Sequence, residues 1–269
     1  MRDWYAFWGL TRPPFFKELE DALLWVPTSK AHHIDRIVGA VEQRETGVVI
    51  VGEPGVGKTC LLRLARHRLA GQSVRLTYCH NATLGRRDFY RQLCHALGLT
   101  PKATAAAVFY ALTTHVEELA REQTHPVFLL DESQLLHQDV LDHLHILANY
   151  GWDSKALLTV VLVGLPELWD RLLLRRNRAL WSRIHCRIHL GEAVPADTVE
   201  YVRHRMTTAG TDQEVFASDA LALLHEGTAG RLRDIDRVAS ECLRRAASNG
   251  HRIVDRAIVS QVLTADQIR

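Results

Sequence analysis

The sequence predicts an α/β fold: a parallel five-stranded sheet flanked by helices, then a small C-terminal all-helical domain. Three observations predict it. The apolar run Val48-Val49-Ile50-Val51 leads into a glycine-rich stretch and then a helical pattern. Short apolar strands alternate with helical stretches up to residue 190, as in a sheet covered by helices on both faces. After Val194 the strand signals stop and only helical patterns follow.

Residues 1–30 form an aromatic arm with Trp4, Tyr5, Phe7, Trp8, Phe15 and Phe16. Aromatic residues this dense need a partner surface, so the arm is expected to cover the flank of the main domain, or to dock on a neighbouring subunit. A helix is predicted over 28–46, capped by Thr28 or Ser29, with Ile34, Ile37, Val38 and Val41 at helical spacing. The first strand is Val48–Val51, and the helix after it runs to about Ala70, closed by Gly71. Val74–Cys79 alternates as a strand. Helices follow from about Arg86 to Leu97 and from Ala105 to Gln123. Val127–Leu130 and Leu157–Val163 are continuous apolar runs, as expected of strands buried on both faces, with a helix at about 138–148 between them. A basic helical stretch, Arg171 to Arg183, precedes a last short strand at Arg187–Leu190. Helices are predicted at about 195–209, 218–226, 230–247 and 255–264. The domain boundaries expected are 1–30, 31–193 and 194–269.

The glycine-rich stretch carries the chemistry. Gly52-Glu53-Pro54-Gly55-Val56-Gly57-Lys58-Thr59 reads G-x-x-x-x-G-K-T between a strand and a helix, and Cys60 follows it in the expected nucleotide-binding stretch. Glycines there let successive backbone N–H groups face phosphate oxygens, and the helix N-terminus adds partial positive charge. Lys58 can reach the β- and γ-phosphates, and the Thr59 hydroxyl can ligate Mg²⁺. Asp131-Glu132 ends the apolar strand Val127–Leu130. An acidic residue at such a strand end can hold Mg²⁺, and the next carboxylate can orient and deprotonate an attacking water; Asp131 and Glu132 are assigned these roles. ATP with Mg²⁺ is therefore the expected cofactor.

Bulk properties exclude other classes. Net charge is only +2, so no global field demands a nucleic-acid partner. No apolar run reaches the roughly 18 residues a membrane span needs, and the five cysteines lack any paired spacing, so a cytoplasmic location is expected. Among fifteen histidines, His137, His143 and His145 share one predicted helix without a metal-ligand spacing, and no transition-metal site is expected.

Gly52–Thr59, Asp131-Glu132-Ser133-Gln134, Ser182-Arg183-Ile184 and Gly230-Arg231-Leu232-Arg233 together resemble AAA+ ATPases over nearly the whole chain. Phe7-Trp8-Gly9-Leu10-Thr11 and Leu162-Val163-Gly164-Leu165-Pro166-Glu167-Leu168 make it most similar to the ExeA-like group of AAA+ proteins. The resemblance implies that the core is a P-loop AAA+ core and that the C-terminal helices form a lid. It implies that Arg183, just before the last strand, reaches a neighbouring subunit's nucleotide, with Arg176, Arg178 and Arg187 as competitors. It implies that Arg233 couples the lid to the γ-phosphate. Where relatives carry a polar first sensor, this chain has Leu165; Gln134 or Thr159 are the available substitutes, and slow hydrolysis is expected.

Within the ExeA-like group, Leu147–Ser154 is similar to a segment of the transposase-linked branch, whose helpers are related in role to IstB, TniB, TnsC and MuB. The secretion-type relatives carry a membrane span and a cell-wall-binding region after the ATPase, and neither is expected here. The expected function is a transposition regulator that assembles as a homo-oligomeric ring or helical filament on double-stranded DNA and recruits a DDE-type transposase. DNA contacts, mainly to phosphates, are expected from Arg86, Arg87, Lys102 and Thr104, with Asn81 and Thr83 adding neutral hydrogen bonds and Arg171, Arg175, Arg176 and Arg178 as a second basic set. The alternative is an ExeA-like cytosolic ATPase that assembles or remodels a protein complex without touching DNA.

Overall fold

A computed structural model describes residues 4–16, 19–79, 83–100, 104–150 and 154–267. Asn81, Lys102 and part of the 147–154 segment lie outside the described residues. Five parallel strands form one sheet in the order β2-β3-β4-β1-β5: β1 is Gly47–Val51, β2 Val74–Cys79, β3 His125–Leu130, β4 Thr159–Gly164 and β5 Ile184–His189. The helices are α1 Thr28–Glu42, α2 Lys58–Leu69, α3 Arg86–Ala96, α4 Ala105–Arg121, α5 Gln138–Leu147, α6 Glu167–Leu173, α7 Arg178–Trp181, α8 Pro195–Ala209, α9 Ser218–Thr228, α10 Leu232–Ser248 and α11 Arg256–Gln267.

The chain forms two compact units: one of His32–Glu53 and Leu61–Leu190, the other of Met1–Ala31, Pro54–Cys60 and Gly191–Arg269. In the sheet unit, β1, β3 and β4 are buried along their whole length, which is why their sequences are unbroken apolar runs. β2 and β5 stand at the two sheet edges and alternate inward and outward residues. That alternation corrects the last strand: it begins at Ile184, three residues before the expected Arg187, because Ile184, Cys186 and Ile188 point inward while His185 and His189 face out. The unit's core joins Val49, Val51, Phe128, Leu130, Val160 and Leu162 of the sheet to Phe89, Leu93, Leu112, Val116, Leu141 and Leu144 of α3, α4 and α5.

The helical unit packs α8, α9, α10 and α11 around Val202, Met206, Leu224, Ile235, Val238, Cys242, Leu243 and Val259. The described part of the aromatic arm contributes to this core: Trp8, Leu10 and Phe15 are buried within it. Backbone acceptors explain its placement. Trp8 Nε1 donates to Leu243 O at 3.3 Å, Thr11 N and Oγ1 both donate to Ala209 O at 2.9 Å, and Arg205 Nη2 donates to Phe16 O at 2.6 Å. The last two carbonyls of α8, which no helical N–H can reach, are satisfied by the arm: Thr11 bonds Ala209 O, and Arg12 Nη2 donates to Thr208 O at 3.0 Å.

Candidate active site

The phosphate loop leaves the sheet at the C-terminal end of β1. Gly52 N donates to Gly164 O at 3.3 Å, extending the β1–β4 pairing by one bond before the chain turns away. Gly55 (φ 85°) and Gly57 (φ 103°) lie in the left-handed region, where a side chain is strained, and α2 begins at Lys58. This glycine turn feeding a helix N-terminus fits the phosphates of a nucleoside triphosphate. Within the helical unit, the loop meets the start of α10. Arg233 N donates to Gly55 O at 3.4 Å, and a Cβ on Gly55 would stand 3.0 Å from Arg233 Cβ. Gly55 and Arg233, paired in the expected site, are thus brought together, with the Arg233 side chain exposed.

The acidic pair sits at the same edge of the sheet from which Gly52 departs, at the end of β3. Asp131 N donates to Cys79 O at 3.1 Å, the last rung of the β2–β3 ladder. Its carboxylate is held by two donors, Glu132 N on Oδ1 at 2.9 Å and the Tyr78 hydroxyl on Oδ2 at 2.9 Å. Part-burial and then the adjacent Asp131 carboxylate push the Tyr78 hydroxyl up to about 12, so it stays a proton donor at neutral pH. Sequence reasoning missed Tyr78. Its outward place in the alternation of β2 was visible, but the pairing of β2 with β3, which sets Tyr78 opposite Leu129, was not.

Glu132 adopts a left-handed backbone (φ 52°, ψ 36°), uncommon for a residue with a side chain. The 3-10 turn Ser133–Leu135 follows, anchored by Ser133 Oγ on Leu130 O at 2.7 Å. Gln134 Nε2 donates to Glu132 Oε2 at 2.7 Å, while Gln134 Oε1 accepts from Leu165 N at 3.1 Å. Of the two proposed stand-ins for a polar residue at 165, only Gln134 lies at this edge. Thr159 is at the other end of β4, where its hydroxyl bonds Glu45 O at 2.6 Å and His125 Nε2 at 2.8 Å, so it cannot serve.

Comparisons with known proteins agree with this geometry. The sequence profile of the AAA domain matches residues 41–172, from the end of α1 into α6. This is an AAA-domain ATPase. General secretion pathway protein A of Aeromonas hydrophila is 31% identical over 251 residues, which are 92% of this chain and 46% of that protein. The chain thus spans about half the length of that relative. Among solved structures, Cdc6p from Pyrobaculum aerophilum has a TM-score of 0.69 at 14% identity, covering 88% of this chain and 68% of that one. The Drosophila ORC bound to DNA gives 0.71 at 19% identity, covering 99% and 66%. The RuvB Holliday junction branch migration motor of Thermotoga maritima gives 0.60 at 14%, covering 90% and 70%. At these identities the likeness to solved structures shows the fold. None of the described helices is long and apolar enough to cross a membrane.

The remaining predicted residues of this ATPase fall into two groups. Arg183 directly precedes β5, and its Nη1 donates to Ala179 O at 3.0 Å. With Thr46, Gly47 and Ile184 it lines a small void at the N-terminal edge of the sheet. β1 and β5 are parallel, so Arg183 is a strand length, about 17 Å, from the edge where the phosphate loop departs. Its competitors are engaged otherwise: Arg176 with Asp142 at 2.8 Å, and Arg187 over the Trp181 ring at 3.8 Å, while Arg178 is exposed.

The DNA candidates are less well served. Lys102 lies outside the described residues. Thr104 caps α4 by accepting from Ala107 N at 3.2 Å, so its hydroxyl oxygen serves the helix. Arg86 contacts His143, and Arg87 beside it is exposed. Arg171, placed in the second basic set, turns inward instead: it donates to Gln134 O and to Leu136 O, the latter at 2.8 Å. Two carbonyls left unpaired by the tight turn draw it there.

Proposed function

We propose that this AAA-domain ATPase uses ATP binding and hydrolysis to assemble or remodel a protein complex, as a relative of a general secretion pathway protein. The observation that carries this reading is the 31% identity to general secretion pathway protein A across 92% of this chain. The phosphate loop from Gly52 to Cys60 holds the triphosphate, with Lys58 compensating charge on its terminal phosphates. Mg²⁺, when bound, neutralises phosphate charge, and Thr59 and Asp131 are its candidate ligands. Glu132 orients and deprotonates the attacking water. Arg233 reports the state of the loop to α10. Arg183, on the wrong edge of the sheet for its own loop, acts on the nucleotide of a second copy, so that hydrolysis requires self-association.

Transposition on double-stranded DNA with a DDE-type transposase has weaker support. The relative named above is a secretion protein by name, and Thr104 and Arg171 are committed to intramolecular bonds. Sedimentation with ATP, with and without plasmid DNA, separates the two. The expected outcome is ATP-dependent assembly that DNA does not change, and assembly that appears only with DNA would return the function to transposition. Lys58→Ala should lose nucleotide binding and assembly together. Arg183→Ala should keep nucleotide binding and lose hydrolysis.

A further inference from the structure

We infer that Gln134 is a positioning residue: its side-chain amide fixes the carboxylate of Glu132 and ties it to the end of β4. The inference rests on the reading of Glu132 as the base. Glu132 is exposed, and a glutamate carboxylate in solvent rotates among many orientations. Among the described residues its carboxylate makes one side-chain hydrogen bond, from Gln134 Nε2 to Oε2 at 2.7 Å. That leaves Oε1 for a water.

Gln134 is itself held on every side that matters. Its Oε1 accepts from Leu165 N, so the amide cannot flip without losing that bond. Its backbone carbonyl accepts from Arg171, whose own carbonyl accepts from Asn177 Nδ2 at 2.7 Å. Asn177 is only 2% exposed and also accepts from Gln138 Nε2 at 2.6 Å. Gly164 makes room: a Cβ there would stand 2.6 Å from Gln134 Oε1 and 3.2 Å from Gln134 N. The left-handed turn at Glu132 brings a side chain and the residue two places on into reach of each other. These features also account for Leu165, whose backbone N–H makes the contact. The polar group at the end of β4 arrives from residue 134, and the side chain at 165 is free to be apolar.

The test uses the full chain, measuring steady-state ATP hydrolysis, nucleotide affinity and thermal stability in parallel. Gln134→Ala should lower kcat by about 10- to 100-fold, the worth of one hydrogen bond to a charged group, with KM and nucleotide affinity nearly unchanged. Gly164→Ala should displace the amide and give the same kcat defect, and the double variant should be no worse than either single one. A merely structural glutamine would lower thermal stability and nucleotide affinity along with kcat. Wild-type kcat in Gln134→Ala, or additive losses in the double variant, would each overturn the assignment. Glu132→Gln separates the layers. If it hydrolyses ATP normally, the reading of Glu132 as base is what fails; if it is inactive while Gln134→Ala is fully active, only the role given to Gln134 fails.

Discussion

The sheet unit draws its core from one nearly continuous span, residues 32–53 and 61–190, in which β2, β3 and β4 pair in chain order and β1 lies between β4 and β5. The helical unit draws its core from opposite ends of the chain, seating Trp8, Leu10 and Phe15 among residues beyond 193. The first kind of core is specified by local periodicity. The second depends on contacts about 200 residues apart in sequence, among them those to backbone acceptors left over at the end of α8. The difference teaches that a stretch which looks like an appendage can be structural, and that its removal should damage one unit and spare the other.

Trp8→Ala makes the hardest test of that contrast. Trp8 is 5% exposed and its indole N–H bonds Leu243 O. Deleting a buried indole should cost about 3–5 kcal/mol. Amide hydrogen exchange should show α8 and α10 losing protection while β1, β3 and β4 keep theirs. Equal loss of protection in both would mean that the two units unfold as one, and the contrast would fall.

Most of the sheet unit was legible because burial on both faces forces unbroken apolar strands: β3 and β4 stand within two residues of their predicted places. The phosphate loop was legible because glycine and lysine spacing has few other uses. Strand order was not legible, since periodicity says which residues are buried and not beside what. Tyr78 therefore came into view only with the fold, as did the choice of Gln134 over Thr159 and the inward turn of Arg171, because the partners, Asp131, Leu165 and the 134–136 carbonyls, are fixed by which strand ends lie side by side. The early start of β5 was hidden for a related reason: an edge strand with outward His185 does not read as an apolar run.

Acid should push the two units in opposite directions. In the sheet unit, His125 is 5% exposed and bonded to Thr159; burial, then the nearby Arg44 charge, brings it down to about 4. Its folded value lies below its unfolded one, so the fold binds fewer protons, and this contribution to stability is lost as pH falls from about 6.5 to 4. In the helical unit, burial raises Asp236 to about 6, against the opposing effects of Arg205 and the Tyr201 hydroxyl that donates to it at 2.6 Å. Here the fold binds more protons, so stability is gained as pH falls from about 6 to 4 and lost again as it rises. Each shift is worth at most about 3 kcal/mol. Hydrogen exchange at pH 4.5 and 7 should show β3 weakening and α10 strengthening in acid. Asp236→Asn should abolish the second trend alone; parallel responses of the two units would contradict both assignments.

The smallest effect concerns α4, and it sharpens what the sheet unit contributes to function. Thr104 was an expected DNA contact, yet its hydroxyl accepts from Ala107 N and so closes the first turn of the helix. Thr104→Ala should therefore cost about 1 kcal/mol, the usual loss of an N-cap. Thr104→Ser, which keeps the acceptor, should cost less. A cap loss of that size should leave hydrolysis and ATP-dependent assembly unchanged, because the helix is held by Val108, Leu112, Val116 and Leu119 in the core. If the protein binds duplex DNA at all, Thr104→Ala should not alter the salt dependence of that binding, since a neutral hydroxyl releases no counterion. A weakened DNA affinity with unchanged stability would reverse the assignment and put Thr104 at a nucleic-acid surface.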